Sequence, residues 1–204
     1  MDEGGADYLQ KRKEISEAAG RVFKAKGLHA TKVNDIALEA DVDRATVYYY
    51  FASKQAVFEE VVDAAVEANA SQAVEIRASA APAPEKLRTL IVSLMRSYAE
   101  SYPFLYVFIQ ENLTQLGKTR PEWAERLRGL NHAYEDAVIG IIEDGIADGS
   151  LAARGDPRTI AYGLLGMLGW TNRWFNPAKS QQSAEEIGTT FANLILDGLV
   201  NRDG

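Results

Sequence analysis

The chain of 204 residues contains no cysteine, so disulfides, thiolate zinc sites and cysteine nucleophiles are excluded. Its two histidines, His29 and His132, lie far apart and lack metal-ligand spacing. There is no glycine-rich phosphate loop and no serine elbow, and carboxylate pairs such as Glu143 and Asp144 fall on a helical face open to solvent. The expectation is a protein that is not an enzyme and holds no cofactor or metal. Long apolar runs are missing too. "YPFLYVFI" (102–109) and "IAYGLLGMLGW" (160–170) fall short of the roughly 18 residues that a membrane span requires, so no membrane partner is expected. The opening "MDEGGADYLQKRKE" has no apolar core of a signal peptide. A cytoplasmic protein fits these absences.

Strand-type alternation is also scarce, while apolar residues recur at helical spacing almost throughout, which predicts an all-α fold of about nine helices. The net charge of −7 argues against a chain that simply coats nucleic acid, but the charge is unevenly spread. Residues 11–54 carry nine Lys/Arg against six Asp/Glu, whereas residues 55–204 carry thirteen against twenty. A small positive segment on an acidic body suits a local anion-binding surface.

Within that segment, Ile15, Ala18, Ala19, Val22 and Phe23 share one face of a helix expected from Leu9 to Lys26, with Gly27 ending it. Thr31 is the expected N-cap of a short helix carrying Val33, Ile36, Ala37 and Ala40 inward. "DVD" (41–43) makes a turn, and Asp43 caps a second short helix from Arg44 to about Phe51. Ser53 then caps a longer helix. Two short helices joined by a tight turn and backed by longer ones form a helix-turn-helix unit.

"RATVYYYF" (44–51) sets three consecutive tyrosines on one short helix. Residues about 100° apart cannot share a buried face. Val47 and Phe51 take the inward positions, with Tyr50 partly inward, which turns Arg44, Ala45, Thr46, Tyr48 and Tyr49 outward. Small side chains at 45 and 46 allow close approach to a duplex. Arg44 and Lys54 supply cations, and tyrosine hydroxyls donate to phosphate oxygens. The helix starts at Thr31–Lys32 and Arg44 offer free amides to anions. The candidate DNA contacts are therefore Thr31, Lys32, Arg44, Ala45, Thr46, Tyr48, Tyr49, Tyr50 and Lys54.

The run "AAGRVFKAKGLHATKVNDIALEADVDRATVYYYFASKQAVFEEV" resembles the DNA-binding domain of the TetR family of bacterial repressors, over about Lys11 to Val66. It departs at Tyr50, where that family frequently has histidine, and at the acidic "DVD" turn, often "GVS". The resemblance implies a DNA-binding domain (1–55) and a larger ligand-binding and dimerisation domain (56–204). It also implies a palindromic double-stranded operator as partner and a homodimer formed through the last two helices. The sequence accommodates that pairing: Gly163, Gly166 and Gly169 recur every third residue along an apolar helix, and "FANLILDGLV" supplies a second.

The implied effector is a hydrophobic small molecule. Candidate pocket residues are Tyr98, Tyr102, Phe104, Phe108 and Trp123, with Glu111 and Asn112 as polar anchors, although an aromatic stripe also serves as plain core. Arg173-Trp174-Phe175 followed by Pro177, together with the Gly145/Gly149/Leu151 spacing, is similar to a TetR subgroup that responds to acyl-CoA thioesters, which adds Trp170, Arg173 and Trp174. A repressor responding to drugs or other metabolites stays open, as does a helical interaction protein that has lost DNA binding.

Overall fold

The computed structural model describes residues 3–103, 105 and 120–199. These hold eight α-helices: α1 (Glu3–Lys26), α2 (Val33–Glu39), α3 (Arg44–Tyr50), α4 (Lys54–Ala78), α5 (Ala83–Glu100), α6 (Pro121–Ala147), α7 (Pro157–Gly169) and α8 (Ala184–Leu199). A 3-10 turn, Trp170–Arg173, follows α7. The described residues contain no β-strand, and none of their helices is long and apolar enough to cross a membrane. The fold is all-α. The helix expected over residues 104–116 lies outside the described residues.

Two compact units emerge. One comprises the described residues of Met1–Ala65 and Ser101–Phe108, the other those of Val66–Glu100 and Ile109–Gly204. The division falls inside α4, which supplies residues to both.

In the first unit, the inward face of α1 is fully buried: Ile15, Ala18, Ala19, Val22 and Phe23. Phe23 meets Phe58 of α4 edge-on at 5.7 Å, and Val57, Val61 and Val62 complete the core. Each such aliphatic or aromatic side chain contributes about 1.5–3 kcal/mol on burial. α1 stops at Gly27, whose φ of 78° suits the left-handed position after a helix. α1 begins at Glu3, earlier than the expected Leu9.

In the second unit, α5 buries Leu87, Leu90, Ile91, Leu94, Met95 and Tyr98, and packs on α8 and α6. Gly188 lets α8 approach α5 closely: a Cβ there would lie 3.0 Å from Val92 Cα. At the start of α8, Ser183 Oγ accepts from the Glu186 amide and the Glu186 carboxylate accepts from the Ser183 amide, the reciprocal cap that the sequence predicts. Asp156 caps α7 through the Thr159 amide at 2.8 Å. The Asp156-Pro157 start signal and the apolar run after it predict a helix running toward Phe175, but α7 ends at Gly169 and tightens into the 3-10 turn. Thr171 Oγ1 donates to Leu168 O at 2.6 Å there, a side-chain bond that competes with helix continuation, and Pro177 lies just beyond.

Gly145 sits where α6 passes the start of α5, and a Cβ added to it would lie 2.6 Å from Ala83 Cβ and 2.7 Å from Leu151 Cδ1. Gly145→Ala therefore loses about 1–3 kcal/mol to overpacking. That outweighs the helix-propensity gain of up to about 1 kcal/mol. A thermal melt reads a fall in Tm of several degrees; a rise would refute the close approach.

Candidate functional site

A seven-residue helix does not persist alone, so α3 depends on its ends and its back. The turn before it closes α2 with two bonds: Val42 N–H donates to Ala37 O (3.0 Å) and Asp41 N–H to Leu38 O (3.3 Å). This Schellman pattern needs a left-handed residue, supplied by Asp41 at φ 50°. Asp43 then caps α3, its carboxylate accepting from the Thr46 amide at 2.6 Å. Those bonds to Thr46 hold its pKa below the ordinary aspartate value. Val47 and Phe51 are sealed behind the helix.

The C-terminal end of α3 is held by Arg12 of α1. Its guanidinium donates to Tyr50 O (2.6 Å) and to both Glu60 oxygens of α4 (2.7 and 3.3 Å), and stacks over the Phe51 ring at 4.3 Å. Hydrogen bonding to Glu60 raises its pKa further above an already high value.

This support leaves one face of α3 open. Arg44 and Ala45 are exposed and Thr46 is half-buried, while Tyr48 and Tyr49 are 43% and 72% exposed. Arg44 Nη2 donates to the Tyr48 hydroxyl at 3.3 Å, with its guanidinium 5.3 Å from that ring. Lys32 is exposed at the start of α2. Tyr50 is half-buried and stacks on Tyr8 of α1 instead.

Two candidates are placed differently from their expected roles. Thr31 does not cap α2. Lys32 occupies that position, its amide donating to Asp35 Oδ2 at 2.8 Å, and Thr31 is buried with its hydroxyl given to Gly27 O at 2.7 Å. A buried, committed hydroxyl is no phosphate ligand. Lys54 was expected to meet phosphate, but its ammonium donates to Leu28 O (2.7 Å), Thr31 O (2.8 Å) and His29 O (3.4 Å). An ammonium has three protons, and three carbonyls of the loop between α1 and α2 accept them.

In the second unit, Tyr98 is buried on α5 and Trp123 is half-buried in the first turn of α6. Trp170 and Trp174 are 62% and 51% exposed, and Arg173, also exposed, lies 5.4 Å over the Trp170 ring. These three do not line an enclosed cavity of this unit, because the 3-10 turn carries them to its surface. Tyr102 is half-buried and groups with the first unit. Phe104, Phe108, Glu111 and Asn112 lie outside the described residues.

A crevice too narrow for a water molecule runs between α4 and α5. Asn69, Gln72 and Ser93 bring polar groups to it, Ala73, Ile76, Leu90 and Leu94 line the rest, and Tyr134 of α6 closes it. The Tyr134 hydroxyl is buried and has no hydrogen-bond partner among the described residues. Burial, with Tyr98 nearby, pushes its pKa well up, so it stays protonated and able to donate. The sequence reading missed Asn69, Gln72 and Ser93. Their one signal is that 69 and 72 flank the inward alanines at 70 and 73 on a helical stripe. Among the described residues no group of acidic or histidine side chains is arranged to hold a metal ion.

Residues 15–61 match the model of bacterial regulatory proteins of the tetR family, and residues 80–199 match the tetracyclin repressor-like C-terminal domain. The chain is 25% identical over 192 residues to the HTH-type transcriptional repressor KstR2 of Rhodococcus jostii, covering 94% of this chain and 92% of that one. A TetR/AcrR family transcriptional regulator from Thermobifida fusca superposes with a TM-score of 0.76 at 26% identity, over 93% of this chain and 98% of that one. The transcriptional regulator FadR from Bacillus subtilis, in complex with stearoyl-CoA, shares the fold with a TM-score of 0.70 at 22% identity, over 91% and 98% of the two chains. With both of its parts matched, the chain belongs to the TetR family and is a TetR-type transcriptional repressor.

Proposed function

We propose that residues 1–55 bind one half of a palindromic operator through α2 and α3, and that residues 56–204 pair two copies and take a hydrophobic effector that releases the DNA. The observation that carries the DNA reading is the exposed Arg44–Tyr48–Tyr49 face on a helix whose back is sealed by Val47 and Phe51. Arg44 and the tyrosine hydroxyls offer donors to phosphates and base edges, and the bare methyl of Ala45 admits the groove wall. Lys32 adds a phosphate contact from the start of α2.

The dimer reading rests on apolar surface. Tyr162 and Trp170 near α7 and Leu194 on α8 are 47%, 62% and 63% exposed. A Cβ built on Gly163, Gly166 or Gly169 meets nothing within 4 Å, so that side of α7 has room for a second helix. Two-fold pairing through such a face matches the symmetry of a palindrome.

For the effector, the neutral donors of Tyr134, Asn69 and Gln72 beside an aliphatic wall suit a carbonyl on an apolar body, as in an acyl thioester. The stearoyl-CoA held by the Bacillus subtilis regulator supports that class. A ligand must part α4 from α5 to reach the Tyr134 hydroxyl, and α4 runs on into the DNA-binding unit.

Three measurements test these readings. A folded Tyr48→Ala protein binds the DNA flanking its own gene about tenfold more weakly than wild type in a gel-shift titration at fixed salt; equal binding would remove the DNA face. Leu194→Glu elutes as a monomer by light scattering and loses operator affinity, whereas an intact dimer would place the interface elsewhere. In a thermal-shift panel of acyl-CoAs, CoA and free fatty acids, an acyl-CoA at about a hundred times its Kd raises Tm by about 5–10 °C. If only non-thioester compounds shift Tm, the effector belongs to another class.

A further inference from the structure

α1 starts at Glu3, well before residue 15 where the match to the DNA-binding family region begins. Its early turns contribute Tyr8, which joins the consecutive pair Tyr49 and Tyr50 in a cluster of three rings. Tyr8 and Tyr50 lie 4.8 Å apart at an interplanar angle of 34°. Tyr49 stands edge-on to both, 6.0 Å from Tyr8 at 73° and 5.0 Å from Tyr50 at 87°. These separations fall in the range where aromatic pairs attract.

We propose that Tyr8 is a positioning residue for DNA recognition: with Tyr50 it fixes the ring of Tyr49 in the orientation that meets the operator. The inference rests on the DNA-binding reading above. Tyr49 is 72% exposed at the end of a seven-residue helix, and among the described residues its ring contacts come from Tyr8 and Tyr50. Around it opens a groove of about 490 Å³ whose other lining, Asp7, Gln10, Lys11 and Glu14, is polar. Without the two rings the side chain would move among rotamers and lose that freedom only on binding DNA.

Tyr8 is itself held. Four residues on, Arg12 ties α1 to Tyr50 O and Glu60, so the ring that restrains Tyr49 stands on the helix that anchors α3.

The test is operator binding by the full-length protein, by fluorescence anisotropy, for wild type, Tyr8→Ala, Tyr8→Phe, Tyr49→Ala and the Tyr8→Ala/Tyr49→Ala double variant. Circular dichroism checks folding, and Tyr8→Leu replaces Tyr8→Ala if the alanine variant fails to fold. Tyr8→Ala weakens binding about three- to tenfold, the cost of ordering one or two side chains. Tyr8→Phe loses less affinity than Tyr8→Ala, because the ring stays in the stack and only the hydroxyl's bond to Arg12 is removed. In the Tyr49→Ala background the Tyr8→Ala penalty disappears. The proposal is overturned by wild-type affinity in Tyr8→Ala, by an undiminished penalty in the double variant, or by a Tyr8→Phe loss equal to that of Tyr8→Ala, which would assign the effect to the hydroxyl, through Arg12 or through DNA, and not to the ring. Absence of DNA binding by wild type would instead sink the DNA-binding reading itself.

Discussion

The outer face of α3 depends on one guanidinium. α3 has seven residues, a single buried side chain of its own in Val47, and a last turn whose carbonyls have no partner within the helix. Arg12 supplies the missing donor at Tyr50 O, neutralises Glu60 of α4 and covers the Phe51 ring. The Arg12 side chain is 28% exposed, so its bonds are partly shielded from water. Charge-assisted bonds of this kind contribute about 1.5–3 kcal/mol, more than a fully exposed ion pair. Helices α1, α3 and α4 therefore meet at one side chain, and the angle at which α3 presents its outer face follows from that junction.

A second junction of the same design ties the start of α4 to the loop between α1 and α2. Lys54 fills the ring of carbonyls left by Leu28, His29 and Thr31, and the buried Thr31 hydroxyl closes back on Gly27. Two cations of the basic segment thus hold the scaffold, and Arg44 and Lys32 remain on the surface. The contrast matters for the electrostatics of the acidic chain. With a net charge of −7, long-range attraction to a polyanion does not come from the whole molecule, so the proposed DNA reading concentrates affinity in short-range contacts at α2 and α3. Short-range contacts reward side chains whose geometry is set in advance.

Local signals made much of this legible. Asp43 before Arg44, Gly27 after Lys26, Asp156-Pro157 and the Ser183/Glu186 pair all act within four residues, and each marks its helix end in the structure. The inward stripe of α1 was readable for the same reason, since periodicity is a property of one helix. What escaped was set by partners far along the chain. Arg12 and Glu60 are 48 positions apart, and Lys54 lies 23 to 26 from its acceptors. A lysine that stabilises a loop and one that meets a phosphate look alike in sequence. Thr31 and Lys32 compete for the same cap within one residue, and burial of the threonine decides between them. The end of α7 was missed because Thr171 redirects its hydroxyl to Leu168 O, a choice no periodicity reveals.

In the proposed reading, α4 is where the two activities must be coupled. A ligand shifts a conformational equilibrium only by its difference in affinity for the two states, so a crevice already open in both would carry no signal. Here the crevice at Tyr134, between α4 and α5, does not admit a water molecule, while the buried Tyr134 donor faces it. An effector that satisfies the Tyr134 hydroxyl gains that hydrogen bond only in a state where α4 has moved, and binds the closed state more weakly. The tight packing that leaves the crevice closed is therefore what would give the effector leverage. Because the same helix continues into Val57, Phe58 and Glu60, a displacement of α4 reaches the residues that hold α1 and, through Arg12, the end of α3.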